Sequence, residues 1–322
     1  MTGDVPAQQP ATGGTATAVR GIEVASVRRA FGSVLAVDDI SLTARPGEVT
    51  ALVGPNGAGK TTLLLMLATL LVPDHGTIRI DGYDPVTQTA EVRARIGWMP
   101  DGFGTWDALT VREVLHTIGA AYNMGPGRAR ARTDELLELL HLGDLAERRA
   151  RVLSRGQKQR LGLARALIHD PSVLLLDEPA SGLDPRSRIE LRDVLRSMAG
   201  QGKTILVSSH ILTELQEVAD RAVIVARGRT TESQTLDSVE LAKTGSAWRI
   251  TSLDPDRLTP WLDGHQVPWR AELAAVEVQV GGDEQAARLL ADLVADGIRI
   301  SAFAPSQGAL ETAYLAATED RR

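Results

Sequence analysis

A glycine-rich loop in the first third of the chain constrains the fold more than any other feature. It reads Gly54-Pro55-Asn56-Gly57-Ala58-Gly59-Lys60-Thr61 and matches the pattern G-x-x-x-x-G-K-[ST] at every fixed position. An apolar run at residues 50–53 precedes the loop, and a second run at residues 61–71 follows it. Because glycine lets the backbone curve closely around a ligand, such a loop between a strand and a helix predicts a phosphate-binding site.

Two residues of this loop are predicted to act directly on a nucleotide. Lys60 is expected to reach the β- and γ-phosphates, and the Thr61 hydroxyl is expected to bind Mg²⁺. The predicted nucleotide-binding residues of this segment are the loop and the threonine that follows it: Gly54, Pro55, Asn56, Gly57, Ala58, Gly59, Lys60, Thr61 and Thr62. The expected ligand is therefore a nucleotide together with Mg²⁺.

Two carboxylates follow another apolar run, which spans residues 173–176. Taken alone, Asp177 and Glu178 would more often mark the start of a solvated helix. Their position after a phosphate loop favours instead the ligand crevice at the end of a parallel strand. There Asp177 suits the Mg²⁺ shell, and Glu178 suits the orientation or deprotonation of an attacking water.

A third motif opens a predicted helix, and its serine lies 23 residues before Asp177: Leu153-Ser154-Arg155-Gly156-Gln157. Further along lie Ser181-Gly182-Leu183-Asp184 and then His210, after another apolar run. The phosphate loop, the motif at residues 153–157, the carboxylates at 177–178, the segment 181–184 and His210 follow one another in this order along the chain. This series resembles the ATP-binding cassette (ABC) ATPases. The resemblance covers roughly residues 21–231, about two-thirds of the chain.

The resemblance implies a site that two protomers share. Ser154, Gly156 and Gln157 would belong to the signature motif, which caps the γ-phosphate of ATP bound by the opposite protomer. Asp184 would belong to the D-loop, which communicates across the same interface. A hydroxyl and the N–H groups at a helix start are suitable phosphate donors. The implied partner is therefore a second ATPase protomer, most simply another copy of this chain.

The resemblance also assigns roles to an aromatic residue and a histidine. Phe31 lies 29 residues before Lys60 and matches the aromatic residue that stacks on adenine, a role that needs only an aromatic face. His210 would be the switch histidine that contacts the γ-phosphate, although a lone histidine after a strand is more often structural. The implied catalytic residues are Glu178, His210 and Lys60, and the implied ligands are ATP and Mg²⁺.

The chain departs from the family pattern at two positions. The third signature residue, commonly glycine, is Arg155, which could either add positive charge beside the phosphate or face solvent. Asp101 stands where the family usually has a glutamine that approaches Mg²⁺ and links the nucleotide to the membrane partner. We expect Asp101 to contact the metal together with Thr61 and Asp177, and a plain turn at residues 101–102 is the alternative.

The predicted fold class is α/β, a P-loop NTPase of the ABC ATPase type. It combines a mostly parallel core sheet with N-terminal antiparallel strands, a helical subdomain at about residues 95–165, and a small C-terminal α+β appendage. We expect a disordered tail at residues 1–19, an ATPase domain at 20–235 and an accessory domain at 236–322. The appendage is predicted as β-α-β-α, ending in a short helix with Leu310, Tyr314 and Ala317.

Composition narrows the function classes. The net charge of −6 includes no basic block, so the sequence argues against nucleic acid as the main partner. The absence of cysteine excludes disulfides and thiolate sites, and the longest largely apolar run, residues 63–72, is too short to span a bilayer. Because the resemblance implies a separate membrane permease, we expect a cytoplasmic ATPase subunit that this permease binds at the inner face of the membrane.

With the resemblance, these observations predict the ATP-hydrolysing subunit of an exporter for a drug, an antibiotic or a lipid-like substrate. The alternatives are an importer ATPase and a non-transport ABC ATPase.

Overall fold

The computed structural model describes residues 20–102, 104, 107–210, 218–237, 247–271 and 275–305. The strands are β1 (Ile22–Phe31), β2 (Val34–Ala44), β3 (Val49–Val53), β4 (His75–Ile80), β5 (Ile96–Met99), β6 (Val173–Asp177), β7 (Thr204–Ser209), β8 (Arg221–Ala226), β9 (Arg229–Asp237), β10 (Ala247–Ser252), β11 (Trp269–Ala271), β12 (Val276–Gln279) and β13 (Ile300–Pro305). The helices are α1 (Lys60–Leu67), α2 (Thr89–Arg93), α3 (Val111–Ala121), α4 (Pro126–Leu139), α5 (Arg155–Leu167), α6 (Pro185–Gly200), α7 (Pro255–Gly264) and α8 (Asp283–Ala295).

The first nine strands form one sheet, in the order β4-β1-β2-β9-β8-β3-β7-β6-β5. Its core is parallel, because β3 pairs with β7 and β8, while β6 pairs with β7 and β5. Every residue of β3, β6 and β7 is buried, as expected for strands covered on both faces. The carboxyl ends of these strands lie at one edge and carry the phosphate loop, Asp177 and His210.

Helices cover the two faces of this sheet with separate apolar clusters. One cluster joins Val53 and Leu176 to buried residues of α3, α4, α5 and α6. The other joins Leu52 and Leu175 to α1 and to the antiparallel strands β1, β2 and β4. Successive residues of one strand thus face opposite clusters, the period-two pattern of a strand. The predicted fold class is confirmed for this part of the chain.

Two predicted boundaries are wrong. The helix expected to reach residue 71 ends at Leu67, because Thr69 adopts a left-handed φ of 63° that does not continue an α-helix. The helical region expected from about residue 95 begins later. Residues Ile96–Met99 form β5 and pair in parallel with β6, so they belong to the core sheet.

The strands β10–β13 form a second, antiparallel sheet in the order β11-β12-β10-β13. With α7 and α8 between them, the elements follow a β-α-β-β-α-β order, as in ferredoxin-like folds. Ile250, Leu258 and Leu293 lie in its own buried core. The expected β-α-β-α pattern missed β10, α7 and β11, and the helix expected around Leu310 lies outside the described residues.

Within the described ranges, no helix combines the length and the apolar character needed to cross a membrane.

Candidate functional site

The phosphate loop joins β3 to α1 and needs glycine at two of its positions. A Cβ atom on Gly54 would lie 2.2 Å from the backbone oxygen of Val225, and one on Gly59 would lie 2.6 Å from that of Ala36. Gly59 also has a φ of 103°, which side chains disfavour. The loop is therefore clamped between β8 on one side and β2 on the other, and α1 starts directly after it.

Lys60 lies across this loop. Its Nζ donates to the carbonyl oxygens of Gly54 at 2.7 Å and Pro55 at 3.3 Å. Burial lowers the pKa of Lys60, while the negative charges of Glu178 and Asp177 act to raise it. The ammonium is thus held inside the loop, facing two carboxylates, where it can bind a triphosphate.

Thr61 and Asp177 meet as the sequence predicts. The Thr61 hydroxyl donates to one Asp177 carboxylate oxygen at 2.9 Å. The other oxygen of Asp177 accepts a hydrogen bond of 2.5 Å from the Ser208 hydroxyl on the neighbouring strand β7. Asp177 and Ser208 are almost fully buried, with 2% and 0% exposed. A hydroxyl and a carboxylate side by side are hard oxygen donors, which fit Mg²⁺.

Glu178 and His210 also meet. His210 Nδ1 lies 2.9 Å from Glu178 Oε2 and donates to this carboxylate. The Glu178 backbone N–H is held by Ser208, whose carbonyl and hydroxyl oxygens accept it at 3.2 and 3.1 Å. Glu178 adopts a left-handed φ of 50°, an unfavourable conformation of the kind found at functional sites. The strand end therefore fixes where this carboxylate points.

Phe31 lies at the β1–β2 hairpin, paired with Val34. This hairpin reaches the phosphate loop, since the Ala36 carbonyl limits the space at Gly59. The Phe31 side chain is 44% exposed, and the Arg29 guanidinium lies 4.9 Å from its ring centroid. Arg29 is itself paired with Asp74 at 2.7 Å. An exposed ring held this way offers a face for stacking, and the binding of adenine by Phe31 stays a prediction.

The signature motif forms the start of α5. Ser154 caps the helix by accepting from the Gln157 backbone N–H at 3.3 Å, and the Gln157 side chain accepts from the Ser154 N–H at 2.9 Å. Such a reciprocal capping box fixes the conformation of the motif. Asp184 caps α6 in a similar way by accepting from Ser187, and these hydrogen bonds lower the pKa of Asp184.

The two departures from the family pattern have different surroundings. Asp101 lies two residues beyond β5, which pairs with β6, so it follows the strand next to the one that ends in Asp177. Its side chain is exposed. Arg155 is exposed, as the second interpretation from the sequence has it, and its guanidinium also donates to Ser181 Oγ of its own chain at 2.8 Å, a contact that neither interpretation included.

Sequence reasoning missed Ser208, which bonds both Asp177 and Glu178. A signal for Ser208 is present in the sequence: the apolar run that starts at residue 204 changes to serine at residues 208–209, directly before His210. It also missed Arg29 and Asp74 behind Phe31, because a charged pair between β1 and the residue before β4 has no sequence pattern.

Comparison with known proteins identifies the family. A family model described as "ABC transporter" matches residues 37–181. Daunorubicin resistance ATP-binding protein DrrA3 of Streptomyces coeruleorubidus is 42% identical over 224 residues, which cover 70% of this chain and 71% of that protein. The chain belongs to the ABC transporter ATP-binding protein family.

Two further comparisons extend this result. The daunorubicin/doxorubicin resistance ATP-binding protein DrrA of Streptomyces peucetius is 32% identical over 305 residues, 93% of this chain and 92% of that protein. The solved dimer of an ATP-binding cassette, in a post-hydrolysis state with ADP and phosphate, aligns with a TM-score of 0.61. That structure is 25% identical and covers 67% of this ABC ATPase and 98% of the solved chain.

These findings confirm the sequence prediction of an ABC ATPase. The protein binds and hydrolyses ATP. Neither relative is named as an importer or as a non-transport protein, the two alternatives that the sequence left open.

Proposed function

We propose that this ABC ATPase powers export of a drug-like small molecule through a separate membrane permease. The observation that carries the proposal is the 32% identity to a daunorubicin/doxorubicin resistance ATP-binding protein over 93% of the chain. That alignment is too long to be confined to the ATPase domain expected at residues 20–235. The permease would hold the protein at the inner face of the cell membrane, and the transported molecule would be an antibiotic or another apolar compound.

The proposal includes a dimer with composite sites. In each site, the phosphate loop, Asp177, Glu178 and His210 of one protomer face the signature and D-loop of the other. The related cassette solved as a dimer supports this arrangement. Ser154 and the N–H groups at the start of α5 would contact the γ-phosphate, where a helix N-terminus favours an anion.

Mg²⁺ fits the oxygen donors at the end of β6. Thr61 and Asp177 would hold it, with Asp101 as a further ligand from the exposed segment after β5. When bound, Mg²⁺ would neutralise charge on the phosphates. Ser208 keeps one Asp177 oxygen engaged, so that the carboxylate presents its other oxygen towards Thr61.

The protein's own residues would then carry the reaction as follows. Lys60 binds the phosphate oxygens, and the Phe31 ring stacks on adenine. Glu178 orients a water molecule for in-line attack on the γ-phosphorus and takes up its proton. His210 donates to Glu178 and thereby helps to fix the carboxylate. Release of ADP and phosphate would let the dimer open.

The test is ATP-dependent transport in a membrane that contains the candidate permease. The chain is co-expressed with this candidate permease, and inside-out vesicles are supplied with ATP and daunorubicin as the probe. We expect daunorubicin uptake with the parent protein and none with Glu178→Gln, which should still bind ATP. If the parent hydrolyses ATP but neither associates with these vesicles nor drives uptake, the export proposal fails while the ATPase assignment stands.

A further inference from the structure

The signature arginine makes a contact within its own chain. Arg155, the first residue of α5, donates through its guanidinium to the Ser181 hydroxyl at 2.8 Å. Ser181 is the first residue of the D-loop, residues 181–184, which leads into α6. The contact therefore joins two segments that are 26 residues apart and that the proposed dimer presents to the partner's nucleotide.

The Arg155 side chain also packs closely against Gly182 of the D-loop. A Cβ atom built on Gly182 would be 2.5 Å from Arg155 Nε and 2.6 Å from Cδ, and Gly182 has a φ of 71°. Only glycine leaves room for the arginine there and adopts that backbone conformation without strain. One residue later, the Leu183 side chain reaches within 3.4 Å of the Cβ position of Gly156. The D-loop and the signature thus fit each other residue by residue.

The buried apolar residues of α5 and α6 belong to one cluster, and the two helices also border an open pocket. This pocket, of about 290 Å³, is open to solvent and has Leu163 of α5 and Leu191 and Val194 of α6 in its wall. Beside it, Arg160 of α5 donates to Ser187 and to Glu190 at 3.0 and 2.7 Å. These hydrogen bonds add to the apolar packing that joins α5 to α6.

We propose that Arg155 is a positioning residue that ties the D-loop to the signature helix within one protomer. The two segments then move as one body when the dimer closes on ATP. This inference rests on the proposed composite dimer. The glycine that the family commonly has at this signature position could not make the contact with Ser181, since glycine has no side chain. Arg155 acts through Ser181 and Gly182, and it does not contact the partner's phosphate.

The inference predicts a specific kinetic pattern. The phosphate loop, Lys60 and Phe31 are untouched by a change at Arg155, so ATP affinity should stay near that of the parent. Alignment of the signature and D-loop at the partner's nucleotide affects the chemical step, so kcat should fall. A direct contact between Arg155 and phosphate would instead raise KM, because a charge that binds the nucleotide would be lost.

The experiment is a double-mutant cycle on the full chain. ATPase rates are measured for Arg155→Ala, Ser181→Ala and the double variant, with Arg155→Lys as the conservative change and Arg151→Ala as an exposed-arginine control. We expect each of the two single alanine variants to lower kcat by about three- to tenfold, the range for the net contribution of one ordinary hydrogen bond, with KM within about twofold. The double variant should be no slower than the slower single variant.

Arg155→Lys should keep most of the rate, because its ammonium can still donate to Ser181, and Arg151→Ala should match the parent. Multiplicative losses in the double variant would overturn the inference, and so would a raised KM in Arg155→Ala with a normal Ser181→Ala. Dimer formation is checked separately, by gel filtration of Glu178→Gln with ATP. Absence of that dimer would refute the composite site itself. If the dimer forms but the Arg155 variants hydrolyse ATP at the parent rate, only the proposed positioning role of Arg155 is refuted.

Discussion

His169 offers a quantitative test of how the signature helix is joined to the core sheet. It follows α5, stacks on Tyr122 at 3.7 Å between ring centroids, and donates from Nε2 to the Ile96 carbonyl at 2.9 Å. Its other nitrogen, Nδ1, is buried without a hydrogen-bond partner. Protonation would put a second donor at Nδ1, so burial lowers the pKa of His169 to about 4.

The sign of the effect follows from proton binding. An unfolded chain takes up a proton at His169 near pH 6.5, whereas the folded protein resists protonation until about pH 4. The unfolded state therefore binds more protons in this window, and stability falls as the pH decreases through it. With these two pKa values, His169 lowers the free energy of unfolding by about 2 kcal/mol between pH 7 and pH 5.

Other charges near His169 change this value only in part. Asp170 acts to raise the pKa, while Lys203 and Arg132 act to lower it, and burial is the largest cause. The variant that isolates the effect is His169→Gln, whose amide can still donate to the Ile96 carbonyl but does not titrate. It loses the ring stacking on Tyr122, at a cost of about 0.5–1.5 kcal/mol at every pH.

The assay is urea denaturation of the parent and His169→Gln at pH 7, 6 and 5, followed by circular dichroism. The parent should lose about 2 kcal/mol more than the variant between pH 7 and pH 5. The control is His75→Gln, which removes an exposed histidine and should retain the pH dependence of the parent. Equal pH dependence in the parent and His169→Gln would refute the argument from burial at Nδ1.

Four further predictions concern the nucleotide site. Glu178→Gln should lower hydrolysis by about 10²–10⁴-fold, as for loss of a general base, with ATP binding retained in a filter-binding assay; a parent-like rate would exclude this role. Ser208→Ala leaves a buried Asp177 oxygen without its donor and should cost about 1–3 kcal/mol in urea denaturation, with a lower kcat; unchanged stability would contradict the contact. Asp101→Ala should shift the Mg²⁺ dependence of the ATPase rate to higher concentration, and superimposable Mg²⁺ titrations would leave Asp101 as a turn residue. A variant that ends after Asp237, the last residue of β9, should fold and bind ATP in calorimetry, and a soluble form without binding would show that the C-terminal part completes the site.

The sequence could predict the phosphate loop, Asp177 and the capped start of α5 because each depends on neighbouring residues. A glycine at a fixed spacing, an apolar run before a carboxylate, and a serine three residues before a glutamine determine local conformation wherever they occur. The same locality explains the error at Leu67, since the apolar pattern continues past the point where the backbone at Thr69 turns left-handed.

The C-terminal part was predicted less well because its signals are weak. Strand β11 has only three residues, and α7 contains Pro260, which argues against a helix when read locally. The antiparallel pairing of β10 with both β12 and β13 depends on strands far apart in the chain. Only their packing around Ile250 reveals the β-α-β-β-α-β arrangement.

The sequence alone determined the family, the order of the motifs and the chemistry expected of Lys60 and Glu178. The tertiary structure decided which serines hold the site residues in place. Ser208 contacts both Asp177 and Glu178, and Ser181 accepts a hydrogen bond from Arg155. The physical reason is that such contacts join strands and helices 26 to 31 residues apart, whose register is set by the parallel sheet and its packed helices. A single hydroxyl leaves no periodic mark in a sequence, although its position in the fold determines where the Asp177 carboxylate and the Glu178 backbone are held.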